Sequence, residues 1–418
     1  MIVKRRKLNE AMAWTLVALW TLVIYVAIPF ARKIQSLFSE QFGGRQVFTY
    51  IVLAAVAIGG SFGAWFLVHR MRRLAWRRIV WLVGVGACYV YGTLRLRSAP
   101  EEALHFVEYG VLALLLVRAF LFRVKDPAVY FCAGLAGLFI GLVDEMIQWM
   151  VPRRFWDWRD LIINSVGCVL MLIAVAGAVR PFSIERRFNP RTVRMAVRLA
   201  VVLVMAFAFC FMNTPGRTDL YAVAIPGLGF LEGNPSVMTE YGYRHEAPGI
   251  GTFYSRLTLG ELREIDERRN VEAGNILTRW RDHGSYPEFL KAVPPNRDPF
   301  VHEARVHLFR RDHHIGKYTQ ATVAGDRDKA SEHATIAFRE QQLVEAFYGR
   351  TMSRSTFRIP LKQRSGLRAR ANLEAPYTSP VSQHLYTLFT EAQIHCMLVL
   401  MLMLLCIAHV RLGRRIDN

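Results

Sequence analysis

The chain has 418 residues, 53% of them hydrophobic, and its 53 Lys and Arg against 33 Asp and Glu give a formal charge of +20. The apolar residues gather in runs such as 12–30 and 394–410. Runs of this kind approach the ~20 residues that cross a bilayer core, which excludes an ordinary soluble domain. The cationic excess lies in short loops beside those runs, as in membrane proteins that follow the positive-inside rule, and does not form a nucleic-acid-binding face.

In chain order, the apolar runs predict spans at 12–30, 48–68, 79–94, 104–124, 129–151, 161–180, 196–212 and 390–410. The first follows a basic start, but it is longer than a leader's apolar core and ends in no small-residue cleavage site, so it reads as a retained helix. Basic loops at 4–7, 70–78, 123–125, 180–194 and 411–415 alternate with the less basic stretches 31–47, 95–103 and 152–160, which are read as loops. Lys4, Arg73, Arg187 and Arg415 are therefore expected in the cytoplasm, with both termini there and the chain in a cytoplasmic (inner) membrane. Loop 152–160 runs against the trend, carrying Arg153, Arg154 and Arg159 on the outer side.

The predicted fold class is an all-α polytopic membrane bundle of about eight helices with an inserted α+β extracytoplasmic domain. Residues 1–212 form the bundle with seven helices, 213–385 the inserted domain, and 386–418 the final helix and cytoplasmic tail. Within the insert, Thr258 and Glu261 read as a capping box that opens a helix running to about Trp280, and Ser285 and Glu288 as a second. A third helix is expected over 331–347, a loop over 293–299, and weak strand-like alternation at 353–359. All six cysteines (Cys88, Cys132, Cys168, Cys210, Cys396 and Cys406) fall in apolar segments without CxxC spacing, so neither a disulfide framework nor a zinc site is expected. The pairs His245-Glu246, His302-Glu303 and His313-His314 lack metal-site spacing and are expected as solvent-exposed histidines, so no metal and no cofactor is expected.

Ionisable residues inside a span are costly and mark function or a specific network. In the fifth span, Ala133, Gly137, Gly141 and Glu145 recur every four residues, so Glu145 shares the helix-contact face of the small residues, with Gln148 one turn on. Asp144 lies about 100° away around the helix, and its direction stays open. The fourth span opens with His105, Glu108 and Tyr109 inside one turn, and the sixth with Asp160, Asn164 and Gly167 at helical spacing. Asp160 is placed to cap that helix or meet its dipole. Arg154 and Asp157 join them from the turn, and all of these residues fall at one end of their helices. A guanidinium there suits a phosphate or carboxylate. A capping and ion-pair network tying two helices to their turn is an equal reading. Gly59 to Gly63 reads as a packing motif.

These residues resemble the VanZ-like family of bacterial membrane proteins. The family pattern is carried by Glu145, Gln148, Pro152, Arg154, Asp157, Asp160, Asn164 and Gly167, and upstream by Glu101, Glu102, His105, Phe106 and Tyr109. It covers residues 100–180. Glu102 stands where many members have Lys, and Arg153 where Gly is usual. The resemblance implies a polytopic membrane protein of the cell envelope, in a family named after a member linked with low-level resistance to the glycopeptide teicoplanin, and it supplies no mechanism. Three functions compete. The favoured one is a non-enzymatic protein that binds a membrane lipid or lipid-linked cell-wall precursor at the outer leaflet. The second is an enzyme acting on a lipid-linked phosphate, with His105 or Glu145 as base. The third, a transporter, is disfavoured because the polar residues lie near one face and no internal repeat is visible.

Overall fold

The computed structural model describes all residues except 1, 42–43, 71–75, 152–153, 155, 182–183, 232–236, 284 and 418. Arg73, Pro152 and Arg153 therefore lie outside the described residues. The chain divides into two compact units, one comprising Met1–Cys210 with His395–Asn418 and the other Phe211–Ile394.

The first unit is helical: α1 (Ile2–Ala27), α2 (Ala31–Gln41), α3 (Val47–Trp65), α4 (Trp76–Arg95), α5 (Leu104–Phe120), α6 (Ala128–Met150), α7 (Trp158–Ala174) and α8 (Pro190–Met212). With the last helix of the chain, Glu391–Asp417, seven helices among the described residues are long and apolar enough to cross a membrane. The expected third span is present as α4 but is not among the seven, because Arg77, Arg78 and Arg95 occupy its two ends and shorten its apolar stretch. The stretch 31–47, read as a loop, holds the amphipathic α2. Large apolar side chains such as Ile58 and Val83 remain 70% and 63% exposed, as they would be if lipid covered them.

Helices α5, α6 and α7 form the centre. Tyr109, Leu112, Leu116, Cys132 and Ala133 are buried there, and α1 closes one side through Ala13, Val17 and Ile24. Two side-chain bonds pin α1 in place: Trp20 Nε1 donates to the Glu108 carbonyl at 2.9 Å, and the Tyr25 hydroxyl to that of Ile140 at 2.9 Å. A Cβ on Gly137 would lie 2.7 Å from Cys168 Sγ, and one on Gly167 3.0 Å from Phe106 Cα. The small residues thus set how closely α6, α7 and α5 approach. Of the Gly59–Gly63 motif, only Gly63 meets a neighbour, Leu82 of α4.

In the second unit, α9 (Pro215–Ala224) is followed by an antiparallel hairpin, β1 (Tyr243–Ala247) and β2 (Gly251–Ser255), with Tyr243 opposite Ser255 and Ala247 opposite Gly251. Then come α10 (Leu259–Arg268), α11 (Asn270–His283), α12 (Tyr286–Ala292), α13 (Pro299–Val323), α14 (Arg327–Phe347), α15 (Gly349–Ser353) and α16 (Leu361–Arg370), before α17 (Glu391–Asp417). Both capping boxes form in full, Thr258 with Glu261 and Ser285 with Glu288. The helix expected from 258 to 280 is broken at Arg269, whose guanidinium turns to Glu272 and Asp298 at 2.9 and 2.8 Å. The alternation at 353–359 makes no strand. The two strands lie instead at 243–255, where the hairpin turn sits over the core of Phe253, Leu262, Phe289, Phe300 and Leu308.

Candidate functional site

The small-residue face of α6 leads directly into the polar cluster. Gly141 lies against the Tyr109 ring of α5 and the Asn164 side chain of α7, and one turn later Asp144 and Glu145 enter the same interface. Asp144 is 1% exposed and Glu145 0%. Tyr109 donates its hydroxyl proton to Asp144 Oδ2 at 3.0 Å. A relay of donors runs along the end of α6: Arg154 Nη2 donates to Gln148 Oε1, and Gln148 Nε2 to Glu145 Oε1 at 2.8 Å. The backbone N–H of Asp157 donates to Glu145 Oε2 at 3.3 Å.

Sequence position alone assigned some of these roles differently. Asp157, not Asp160, caps α7, accepting from the Arg159 N–H at 2.8 Å, so its carboxylate is spent locally. Asp160 lies in the first turn, where a carboxylate favours the helix dipole. Glu108 stays partly exposed. Its carboxylate lies 3.2 Å from His105 Nδ1. His105 is within electrostatic range of Asp144, Glu145 and Asp160. Glu102 meets Arg159 at 2.8 Å, which gives this acidic residue a partner of opposite charge at the same end of the bundle.

The cluster is incompletely satisfied. Asp144 Oδ1, both amide atoms of Asn164, Arg154 Nε and Trp156 Nε1 are enclosed and have no hydrogen-bond partner among the described residues. Buried polar atoms nearly always find one, so several orphans together call for water or a ligand. Sequence position does not single out Trp156 and leaves the direction of Asp144 open. Asp144 had one usable signal, its place three residues after Gly141, which brings it onto the same helical arc.

Among the described residues, seven helices apolar enough to cross a membrane and an enclosed polar cluster between three of them mark a polytopic helical membrane protein. A family model described as VanZ/LLP1 matches residues 13–179, so this stretch of the chain is a VanZ-like region. No curated protein and no solved structure matches the chain.

Of the histidines expected in solvent, His313 is exposed, whereas His245 and His314 are only 8% exposed. Glu303 and Glu340 of the same unit are fully buried. Burial, with Arg310 and His333 nearby, lowers His314 to about 4. His245 bonds the Leu257 carbonyl at 2.9 Å and His302 that of Val293 at 2.7 Å. Arg256 bridges two carboxylates, Glu240 at 2.6 Å and Glu303 at 3.0 Å, while Glu303 also accepts from Ser255 at 2.6 Å. Glu340 accepts from His307, Arg310, Tyr377 and Ser379. Burial raises Glu240, but hydrogen bonds from His384 and Arg256 outweigh it and bring the carboxyl down to about 2.

Proposed function

We propose that this protein binds the polar head group of a membrane lipid or lipid-linked cell-wall precursor where α5 and α7 begin and α6 ends, without catalysing a reaction, and that raised teicoplanin tolerance is its cellular consequence. The observation that carries this reading is the group of enclosed, unpartnered atoms on Asp144, Asn164, Arg154 and Trp156. Asp144 Oδ1 and Asn164 Oδ1 are left for hydroxyl, amide or ammonium donors, and Asn164 Nδ2, Trp156 Nε1 and Arg154 Nε for phosphate or carboxylate oxygens. Head groups that combine sugar or peptide with phosphate offer both kinds of partner. The test is mass spectrometry of lipid retained after gentle purification and extensive washing. One lipid class bearing such a head group should be retained in near-stoichiometric amount; recovery of bulk phospholipid only would count against the reading.

In our reading α4 is the eighth span, because it packs between α3 and α7 through Val85, Tyr89 and the core they share with Val52, Phe106 and Ile163. An even number of crossings puts both termini on one side and residues 213–385 on the other, and the basic loops make the side of the termini the cytoplasm. Reporter fusions at residue 75 and at residue 300, which flank α4 through α8, should then give opposite signals. Identical signals would remove one crossing and reverse the placement of the second unit.

A further inference from the structure

The second unit has a cleft of about 390 Å³ between the hairpin turn at 247–251 and the extended segment at 373–377. Its walls are held rigidly. The Thr252 N–H donates to the Tyr377 carbonyl at 2.9 Å, and the Ser379 N–H to that of Thr252 at 2.9 Å. Gly249 and Gly251 have φ of +73° and +132°, and a Cβ on Gly251 would lie 2.2 Å from the Tyr377 carbonyl oxygen. Only glycine permits this backbone, so the cleft is formed before anything enters it.

Arg339 of α14 lines the cleft and is 6% exposed. Its two terminal nitrogens donate to the Gly249 and Leu373 carbonyls, one from each wall, and its enclosed Nε has no acceptor. A guanidinium has five N–H donors, so most of its capacity is unused. Arg256, Arg310 and Arg311 of the same unit each meet a carboxylate. Among the described residues Arg339 meets none, and carbonyl dipoles compensate a buried charge only in part. Two further lining residues, Glu246 and Glu374, are exposed carboxylates, and Glu246 pairs with Arg244 at 3.0 Å. The cleft therefore has a cationic floor and an acidic rim.

We propose that this cleft binds a small zwitterion of amino-acid type, with its carboxylate on Arg339 and its ammonium towards Glu246 and Glu374. The site is independent of the membrane cluster. A group of two negative charges such as phosphate is disfavoured by the rim, and a carboxylate lacking the ammonium loses half of the recognition.

The full-length protein in detergent is followed by thermal unfolding with glycine, L-alanine, acetate or inorganic phosphate as probe. Glycine and L-alanine should raise the midpoint saturably, by about 2–4 °C once occupancy contributes a tenfold stabilisation, with acetate weaker and phosphate without effect. Arg339→Gln should abolish the shift. Because Arg339 also joins the two walls, Ala375→Phe is the companion variant, filling the cleft while leaving the arginine in place. It should keep the unliganded midpoint and lose the response. No shift with either amino acid, or a shift that survives Ala375→Phe, overturns the site. An equal response to phosphate overturns the zwitterion.

Discussion

Arg256→Ala should destabilise the second unit by about 3–5 kcal/mol, a large part of a domain's total stability. The guanidinium is the shared partner of Glu240 and Glu303, and the Glu303 side chain is 0% exposed. Removing it strands Glu303, whose remaining donors, the Ser255 and Ser382 hydroxyls and the backbone N–H of residue 256, carry no charge, and leaves Glu240 with His384 in place of the guanidinium. Arg256→Lys keeps the charge but cannot bridge two carboxylates in the same fork, so an intermediate loss is expected. The triple variant with Glu240→Gln and Glu303→Gln should recover much of the stability, since the loss comes from stranded charge and not from lost volume. Hydrogen exchange over residues 240–385 in the intact protein reads the effect. Equal protection in wild type and Arg256→Ala would show that the network contributes nothing. The same network sets an acid limit. The folded value of Glu240, about 2, lies below its ordinary 4.5. The stabilisation it brings is therefore complete above pH 4.5 and fades as pH falls towards 2, a loss of roughly 3 kcal/mol. Glu340 is also lowered, with His307 foremost among the groups that overcome its burial, and adds to the loss in the same direction.

What could be read from sequence was whatever is local. The capping boxes at Thr258 and Ser285 need only four residues each, and both form. The four-residue row ending in Glu145 needs only helix geometry, and it places that carboxylate in the interface with 0% exposure. Tertiary information decided the rest. The longest helix of the second unit, α13, shows little apolar stripe because it buries Glu303, His307 and Arg311, whose partners lie up to 79 residues away. The hairpin escaped notice because Tyr243 is exposed while His245 is buried, so its strands do not alternate between apolar and polar residues. The direction of Asp144 depended on Tyr109 of another helix, 35 residues distant. The capping role fell to Asp157 because the chain enters α7 extended at that residue, a backbone choice that the pair Asp157 and Asp160 leaves open.

Asp144→Asn should leave the fold intact and abolish head-group binding, and it is a cleaner probe of the site than any change at Glu145. Both Glu145 oxygens already accept hydrogen bonds, from Gln148 Nε2 and from the Asp157 N–H. An amide in its place would set a donor against one of those donors. Rotating the Gln148 amide to compensate would turn its own donor towards Arg154. Glu145→Gln is thus expected to cost about 1–3 kcal/mol through an unsatisfied group, and any loss of function would be confounded with loss of fold. Asp144 differs, because among the described residues only Oδ2 is engaged, by the Tyr109 hydroxyl, while Oδ1 has no partner. Asparagine keeps an oxygen for Tyr109 and presents an NH2 where the free oxygen stood, so no existing hydrogen bond is lost. A ligand that donates to Oδ1 meets a donor instead and loses its anchor. Membrane abundance and the unfolding midpoint should therefore match wild type, while the retained lipid falls at least tenfold, the equivalent of about 1.4 kcal/mol, and the teicoplanin concentration that arrests growth falls to that of cells without the protein. If Asp144→Asn retains the same lipid in the same amount, the unpartnered oxygen holds only water, and the cluster is a scaffold that ties α5, α6 and α7 to their turn.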